Sequence, residues 1–204
     1  MEHALNYVLA LILGYALGSI PFGLVATRLA GLGDVRAIGS GNIGATNVLR
    51  TGRRDLAALT LVLDAGKGAL AVLLAHWLWG SEAAMVAGVA AFFGHVFPFT
   101  LGFKGGKGVA TFLGILLALS WPLGLGFCVV WLVVAGITRY SSLSALVGAL
   151  ASPILAWFFS GPPMALTCLA LALVILFTHR ANISRLVGGT ETKIGAPKAP
   201  PQAS

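Results

Sequence analysis

Apolar residues run along this chain in long blocks, interrupted by a few short polar stretches. The blocks fall at about 5–30, 56–79, 83–97, 108–119, 123–137, 143–159 and 164–177. Apolar runs of roughly 17–25 residues read as membrane-spanning helices, because lipid offers no partner to an open backbone. Pro21 lies inside the first block and is expected to bend it. Pro122 stops the fourth block, and Gly161-Pro162-Pro163 ends the sixth. The third and fourth blocks are short, so the pattern fits seven spans or five spans plus a re-entrant pair. The expectation is one all-α polytopic membrane domain of about seven helices over 1–193. A Pro/Ala-rich disordered tail is expected over 194–204.

Composition agrees: 58% of residues are hydrophobic, 9% are charged, and the mean hydropathy is +0.94. A net charge of +7 in a soluble chain would suggest nucleic acid. In a membrane chain it reads as the positive-inside bias. Every Lys and Arg except Lys67 lies in or beside the loop after the first block, the loop before Gly108, the break at Arg139, or the C-terminal segment. Placing the N-terminus outside puts all four in the cytoplasm. The outer connections then carry only Glu2 and Glu82, and Trp77, Trp79, Trp121 and Trp157 fall near the outer ends as an aromatic belt. Met1-Glu2-His3 lacks the basic start of a cleaved signal, so the first block is expected to be a retained span. Cys128 and Cys168 sit inside apolar blocks with no metal-type spacing and read as packing residues.

Three polar segments carry the candidate chemistry. GHVFPFTLGFKGGKGVAT (94–111) brings His95, Lys104 and Lys107 together with Gly105, Gly106 and Gly108. Glycines let backbone approach a ligand, and a helix beginning near Val109 would aim free N–H groups at an anion. In IGSGNIGATNVLR (38–50), Asn42 is expected to cap a helix starting at Ile43, with Asn42, Thr46 and Arg50 on one face. Ser40 and the amides around Gly39 and Gly41 would lie at its mouth. These glycines and Gly44 match GxGxxG, but a dinucleotide fold needs a preceding strand, which a loop between spans does not supply. THRANISRLVGGTETK (178–193) offers His179 and Asn182 on one helical face, and Glu191 after a Gly188-Gly189 turn. Arg139, Ser141 and Ser142 form a smaller cluster on the same face. Asp64 and Lys67, three apart inside the second block, read as a structural ion pair supporting the site.

The sequence has no P-loop, no GxSxG elbow and no HxxxxD motif. Its 6 Asp and Glu residues form no paired cluster, so neither a metal nor another cofactor is expected. Three basic, glycine-rich segments on one face of a helical bundle suit a reaction between phosphate-bearing groups and a lipid tail. A transporter or flippase for a phosphorylated solute or lipid would use similar features. Against it, the polar groups cluster on one side and no inverted repeat is visible.

The three segments together, in order and across nearly the whole chain, resemble the cytoplasmic motifs of the bacterial acyl-phosphate:glycerol-3-phosphate acyltransferases, the PlsY family. The resemblance implies seven spans in the inner membrane with the active site facing the cytoplasm. It implies transfer of a fatty acyl group from acyl phosphate to glycerol 3-phosphate, giving lysophosphatidate for phospholipid synthesis. It also implies a soluble enzyme that supplies the acyl phosphate. With that chemistry, Lys104, Lys107 and the amides of Gly105, Gly106 and Gly108 are expected to bind phosphate. Ser40, the amides near Gly41, and Arg50 would hold the acyl-phosphate head and developing oxyanion, with Asn42, Thr46, Asn47, Ser141 and Ser142 lining the site. Asn182 would orient the carbonyl or the hydroxyl. The base is His179, His95 or the departing phosphate itself; in the last case Glu191 would be structural, pairing with a motif lysine or arginine. Lys104 and Arg50 are expected to matter more to turnover than His95.

Overall fold

A computed structural model of the protein describes residues 2–195, and these residues form helices and connecting loops with no strand. The first apolar block is two helices, α1 (Glu2–Gly18) and α2 (Phe22–Leu29). The bend expected at Pro21 is a break between them, because proline cannot donate the helical hydrogen bond. A loop with a 3-10 turn at Val35–Ala37 leads to the short α3 (Ala45–Leu49) and then to α4 (Arg54–Trp79). Next come α5 (Ser81–Val96), α6 (Val109–Leu119), α7 (Trp121–Thr138), α8 (Ser141–Ser160), α9 (Pro162–Thr178) and α10 (Arg180–Val187). Gly80 and Gly161 make one-residue connections between α4 and α5 and between α8 and α9.

Five stretches are long and apolar enough to cross a membrane, or six if α9 and α10, bent by 64° from each other, are counted as one span. The departure from seven full spans is α6. Its 11 residues cover about 16 Å at ~1.5 Å per residue, roughly half the ~30 Å hydrocarbon core. Ile194, the first residue of the segment expected to be disordered, is held in place. Ile194 donates its N–H to the Arg139 carbonyl at 2.7 Å and accepts from the Arg139 guanidinium at 3.0 Å. The rest of that tail, 196–204, lies outside the described residues.

Helices cannot rely on the hydrophobic effect to associate in lipid, so they pack through small residues. A side chain at Gly14 or Gly18 of α1 would overlap the backbone of Ala87 or Ala91 on α5. Gly68 of α4 abuts Thr111 of α6, and Gly114 of α6 abuts Ala65 of α4. The short α6 is thereby locked against the longest helix. Its other side contributes to an aromatic core: Phe112 meets Phe127 edge-to-face at 5.6 Å and Phe92 at 6.2 Å. These contacts fix the start of α6, where the glycine-rich segment ends.

Candidate active site

Asn47 organises the first polar loop. Its side chain is buried, and its amide nitrogen donates to the carbonyls of Val35, Ile38 and Asn42 at 2.8–3.0 Å. Its Oδ1 accepts the Ser40 N–H at 3.0 Å. Asn47, expected among the substrate contacts, is therefore occupied in holding the loop. Asn42 does not cap a helix at Ile43: its side chain accepts the Gly44 N–H at 2.9 Å, and α3 begins at Ala45. The Ser40 and Gly41 amides, expected to face an oxyanion, are used internally, the latter on Ile38 at 3.0 Å. What the loop presents is the exposed Ser40 hydroxyl, which lies 3.3 Å from Asn47 Oδ1, and Arg50. The Arg50 side chain packs against Gly39 and lies 3.5 Å from Asn47 Oδ1. Thr46 reaches Ser141 at the start of α8, 3.2 Å away.

The central loop folds back onto the end of α5. Gly105 donates to the Val96 carbonyl at 3.1 Å and Gly106 to the His95 carbonyl at 3.0 Å, so these amides too are already paired. The free ones lie further on: the amides of residues 107–111 have no acceptor among the described residues. Gly108, at φ 88°, turns the chain into α6 in a conformation that a side chain would resist. The two lysines part company here. Lys104 is exposed, and its side chain makes no hydrogen bond or ion pair among the described residues. Lys107 is half-buried, donates to Asn182 Oδ1, and has its own carbonyl bonded by the Thr178 hydroxyl at 3.2 Å.

Glu191 joins the third segment to the rest. One carboxylate oxygen accepts from the Ser142 hydroxyl and the Asn182 amide, each at 2.7 Å; the other accepts from Arg185 Nε at 2.6 Å. Burial opposes its ionisation, but the bonds from Ser142, Asn182 and Arg185 outweigh it and hold the carboxyl below its ordinary value. Asn182 is thus spoken for on both sides, between Glu191 and Lys107, instead of being free to orient a substrate carbonyl. His179 is buried and its Nδ1 sits 2.8 Å from the Ile175 carbonyl. That contact requires Nδ1 to carry the proton when the ring is neutral, leaving Nε2 as its basic atom. His95 is buried beneath the loop, with Asp64 Oδ1 3.7 Å from its Nδ1.

Lys107 is linked to Arg185 through Asn182 and Glu191, and Arg50 lies close enough to repel it. Burial lowers the Lys107 pKa to about 8, helped by repulsion from Arg185 and Arg50 and opposed by Glu191. The structure brings Arg50, Thr46, Lys107, Ser141, Ser142, His179, Asn182 and Glu191 to one region. Sequence reasoning missed Arg185 as a member. Its signal was a basic residue six before Glu191 across a Gly-Gly turn.

A cluster of cations at one end of a small-residue-packed helical bundle marks an anion-handling integral membrane protein. Comparison with known proteins narrows this. The profile of the glycerol-3-phosphate acyltransferase family matches residues 8–189. A glycerol-3-phosphate acyltransferase of Rhodopseudomonas palustris (strain BisB5) is 60% identical over 94% of this chain and 98% of its own length. One from Jannaschia sp. (strain CCS1) is 59% identical over 94% of this chain and 95% of its own. Among solved structures, PlsY (YgiH), an integral membrane glycerol 3-phosphate acyltransferase, superposes in its glycerol 3-phosphate form with a TM-score of 0.87. That match has 36% identity and covers 93% of this chain and 96% of that one. Its lysophosphatidic acid form superposes with a TM-score of 0.85 at 35% identity, over 93% and 95% of the chains. The chain belongs to the glycerol-3-phosphate acyltransferase family of membrane enzymes.

Proposed function

We propose that this enzyme transfers a fatty acyl group from acyl phosphate to the sn-1 hydroxyl of glycerol 3-phosphate, releasing lysophosphatidate and inorganic phosphate. The reading places the site at the cytoplasmic face of the inner membrane, with the N-terminus outside and α6 and the α9–α10 pair completing a seven-helix topology. The bilayer holds the acyl chain, and a soluble enzyme supplies the donor. The observation that carries it is that Arg50 and Arg185 both lie close enough to repel Lys107, while the neighbouring carboxylate, Glu191, has both oxygens already engaged. Two phosphate-bearing substrates must be held side by side, and this surplus of positive charge offsets their repulsion.

Lys107 and the free amides at the start of α6 hold the phosphate of glycerol 3-phosphate. Arg50 and the Ser40 hydroxyl hold the acyl-phosphate head and the charge that develops on its carbonyl oxygen. The sn-1 hydroxyl oxygen attacks the acyl carbon, the bond from that carbon to the bridging oxygen breaks, and phosphate departs with the hydroxyl proton. Acyl phosphate is a mixed anhydride, so its leaving group needs little help. Asn182 and Glu191 keep Lys107 in place. The donor class rests on the resemblance of the three motifs.

Purified protein given radiolabelled glycerol 3-phosphate with palmitoyl phosphate, or with palmitoyl-CoA, in EDTA tests this. Lysophosphatidate from the phosphate donor alone is the expected result. Product from palmitoyl-CoA alone overturns the donor. No product from either, with labelled solute crossing proteoliposomes unchanged, overturns the reaction in favour of transport.

A further inference from the structure

The ion pair in the second apolar block does more than fill the core. Asp64 and Lys67 are both 2% exposed at their side chains and 2.9 Å apart. Charges inside a membrane are costly and are retained where they act. Lys67 also donates to the Ile20 carbonyl at 2.7 Å, inside the break before α2, where the Phe22 N–H is the other donor to the same oxygen at 3.1 Å. On the other side Asp64 faces His95, whose Nδ1 has no hydrogen-bond partner among the described residues. The far edge of the His95 ring lies against Gly106, where a Cβ would overlap Nε2 and Cε1. The His95 carbonyl holds the Gly106 N–H. Two further bonds tie the same loop stem to the broken first span: Thr100 to the Ser19 carbonyl at 3.0 Å and Tyr15 to the Phe97 carbonyl at 2.8 Å. The chain of contacts runs from the helix break through Lys67, Asp64 and His95 to the residue before Lys107.

We propose that Asp64, Lys67 and His95 are positioning residues that set the height of the Gly106–Lys107–Gly108 turn and so place the Lys107 ammonium against its anion. The inference rests on the reading of Lys107 as the glycerol 3-phosphate contact. A pair serving stability alone behaves differently. Replacing both members of a buried ion pair by groups of similar shape is often neutral for folding, whereas removing one leaves an uncompensated charge.

The test is steady-state kinetics of purified D64N/K67M, with K107M alongside, each substrate varied in turn. Misplacing one contact by a fraction of an ångström should raise KM for glycerol 3-phosphate about tenfold or more. KM for acyl phosphate stays within about twofold of wild type, because Arg50 and Ser40 lie outside the network. Wild-type KM for glycerol 3-phosphate in a folded D64N/K67M overturns the proposal while leaving the reaction intact. An unchanged KM in K107M refutes the phosphate assignment itself, and the positioning role with it. If D64N/K67M does not insert, H95Q carries the test, since it leaves the ion pair in place. It is expected to raise the same KM, and an unaltered value in H95Q counts against the network.

Discussion

Replacing Glu191 by Gln tests the site's architecture most sharply. Gln keeps the shape, and its oxygen can still accept from Ser142 and Asn182. Its NH2 group then faces Arg185 Nε, donor against donor, where a 2.6 Å charged bond stood. A hydrogen bond between charged partners contributes about 1.5–3 kcal/mol. The Arg185 side chain is 36% exposed, so the lower end applies, and about 1.5–2 kcal/mol of stability should go. Glu191→Ala strands three donors and should cost about 3–5 kcal/mol, the range for breaking a buried pair. The catalytic consequence differs in kind. Glu191 is the carboxylate that sustains the Lys107 charge. Without it the Lys107 pKa falls further below about 8, and the ammonium is lost at lower pH. The assay is KM for glycerol 3-phosphate from pH 6 to 9, with thermal unfolding in detergent. In E191Q the KM penalty should grow as pH rises through neutrality. A penalty that shrinks with rising pH, or an unchanged KM in a folded variant, would refute the reasoning. The stability difference follows the other limb. The Glu191 carboxyl is held below its ordinary value, so its contribution is present above the ordinary glutamate range and disappears as pH falls through the folded-state value.

Further expectations follow from the same geometry. Lys107→Met should raise KM for glycerol 3-phosphate about 10- to 100-fold, the worth of one charge-assisted contact, and Lys104→Met less than about threefold, so the weight that the sequence alone put on Lys104 passes to Lys107, the lysine bonded to Asn182; saturation curves for the two variants decide between the lysines. In the wild type, kcat/KM for glycerol 3-phosphate should fall above about pH 8, where Lys107 loses its charge; a flat profile from pH 7 to 9 argues against a Lys107 contact. Gly106→Ala should impair glycerol 3-phosphate saturation because its methyl meets the His95 ring, and adding His95→Ala should restore part of the loss, measured as KM. Gly114→Leu should destabilise by about 1–3 kcal/mol or more by overpacking against Ala65, read as a lowered unfolding temperature.

The helices were legible because lipid imposes a simple rule on the chain. The block expected at 56–79 is α4 (Arg54–Trp79), and the one at 143–159 is α8 (Ser141–Ser160). The three polar segments were legible for the converse reason, since polar runs stand out between spans. Which groups within them remain free was not. The Gly105 and Gly106 amides looked available until the loop folded back on Val96 and His95. Asn47 looked like one more polar side chain on a face, yet its amide ties together the Val35, Ile38 and Asn42 carbonyls of the irregular loop. Glu191 could be given a basic partner in principle, but Ser142 meets it across 49 positions of chain, a separation no local pattern encodes. The His95–Asp64 approach depends likewise on how α4 and α5 rotate against each other.

The brevity of α6 bears on where substrates meet. It ends beside Trp121, a residue suited to the outer water–lipid boundary. With that end at the boundary, a helix of about 16 Å puts its other end near the middle of a ~30 Å apolar layer. In the orientation proposed above, Lys107 would then sit below the membrane surface on the cytoplasmic side. A lipid-borne donor could present its head group there while its tail stays among its neighbours, and the soluble acceptor would descend to meet it. The product would be formed already at home in the leaflet that must use it.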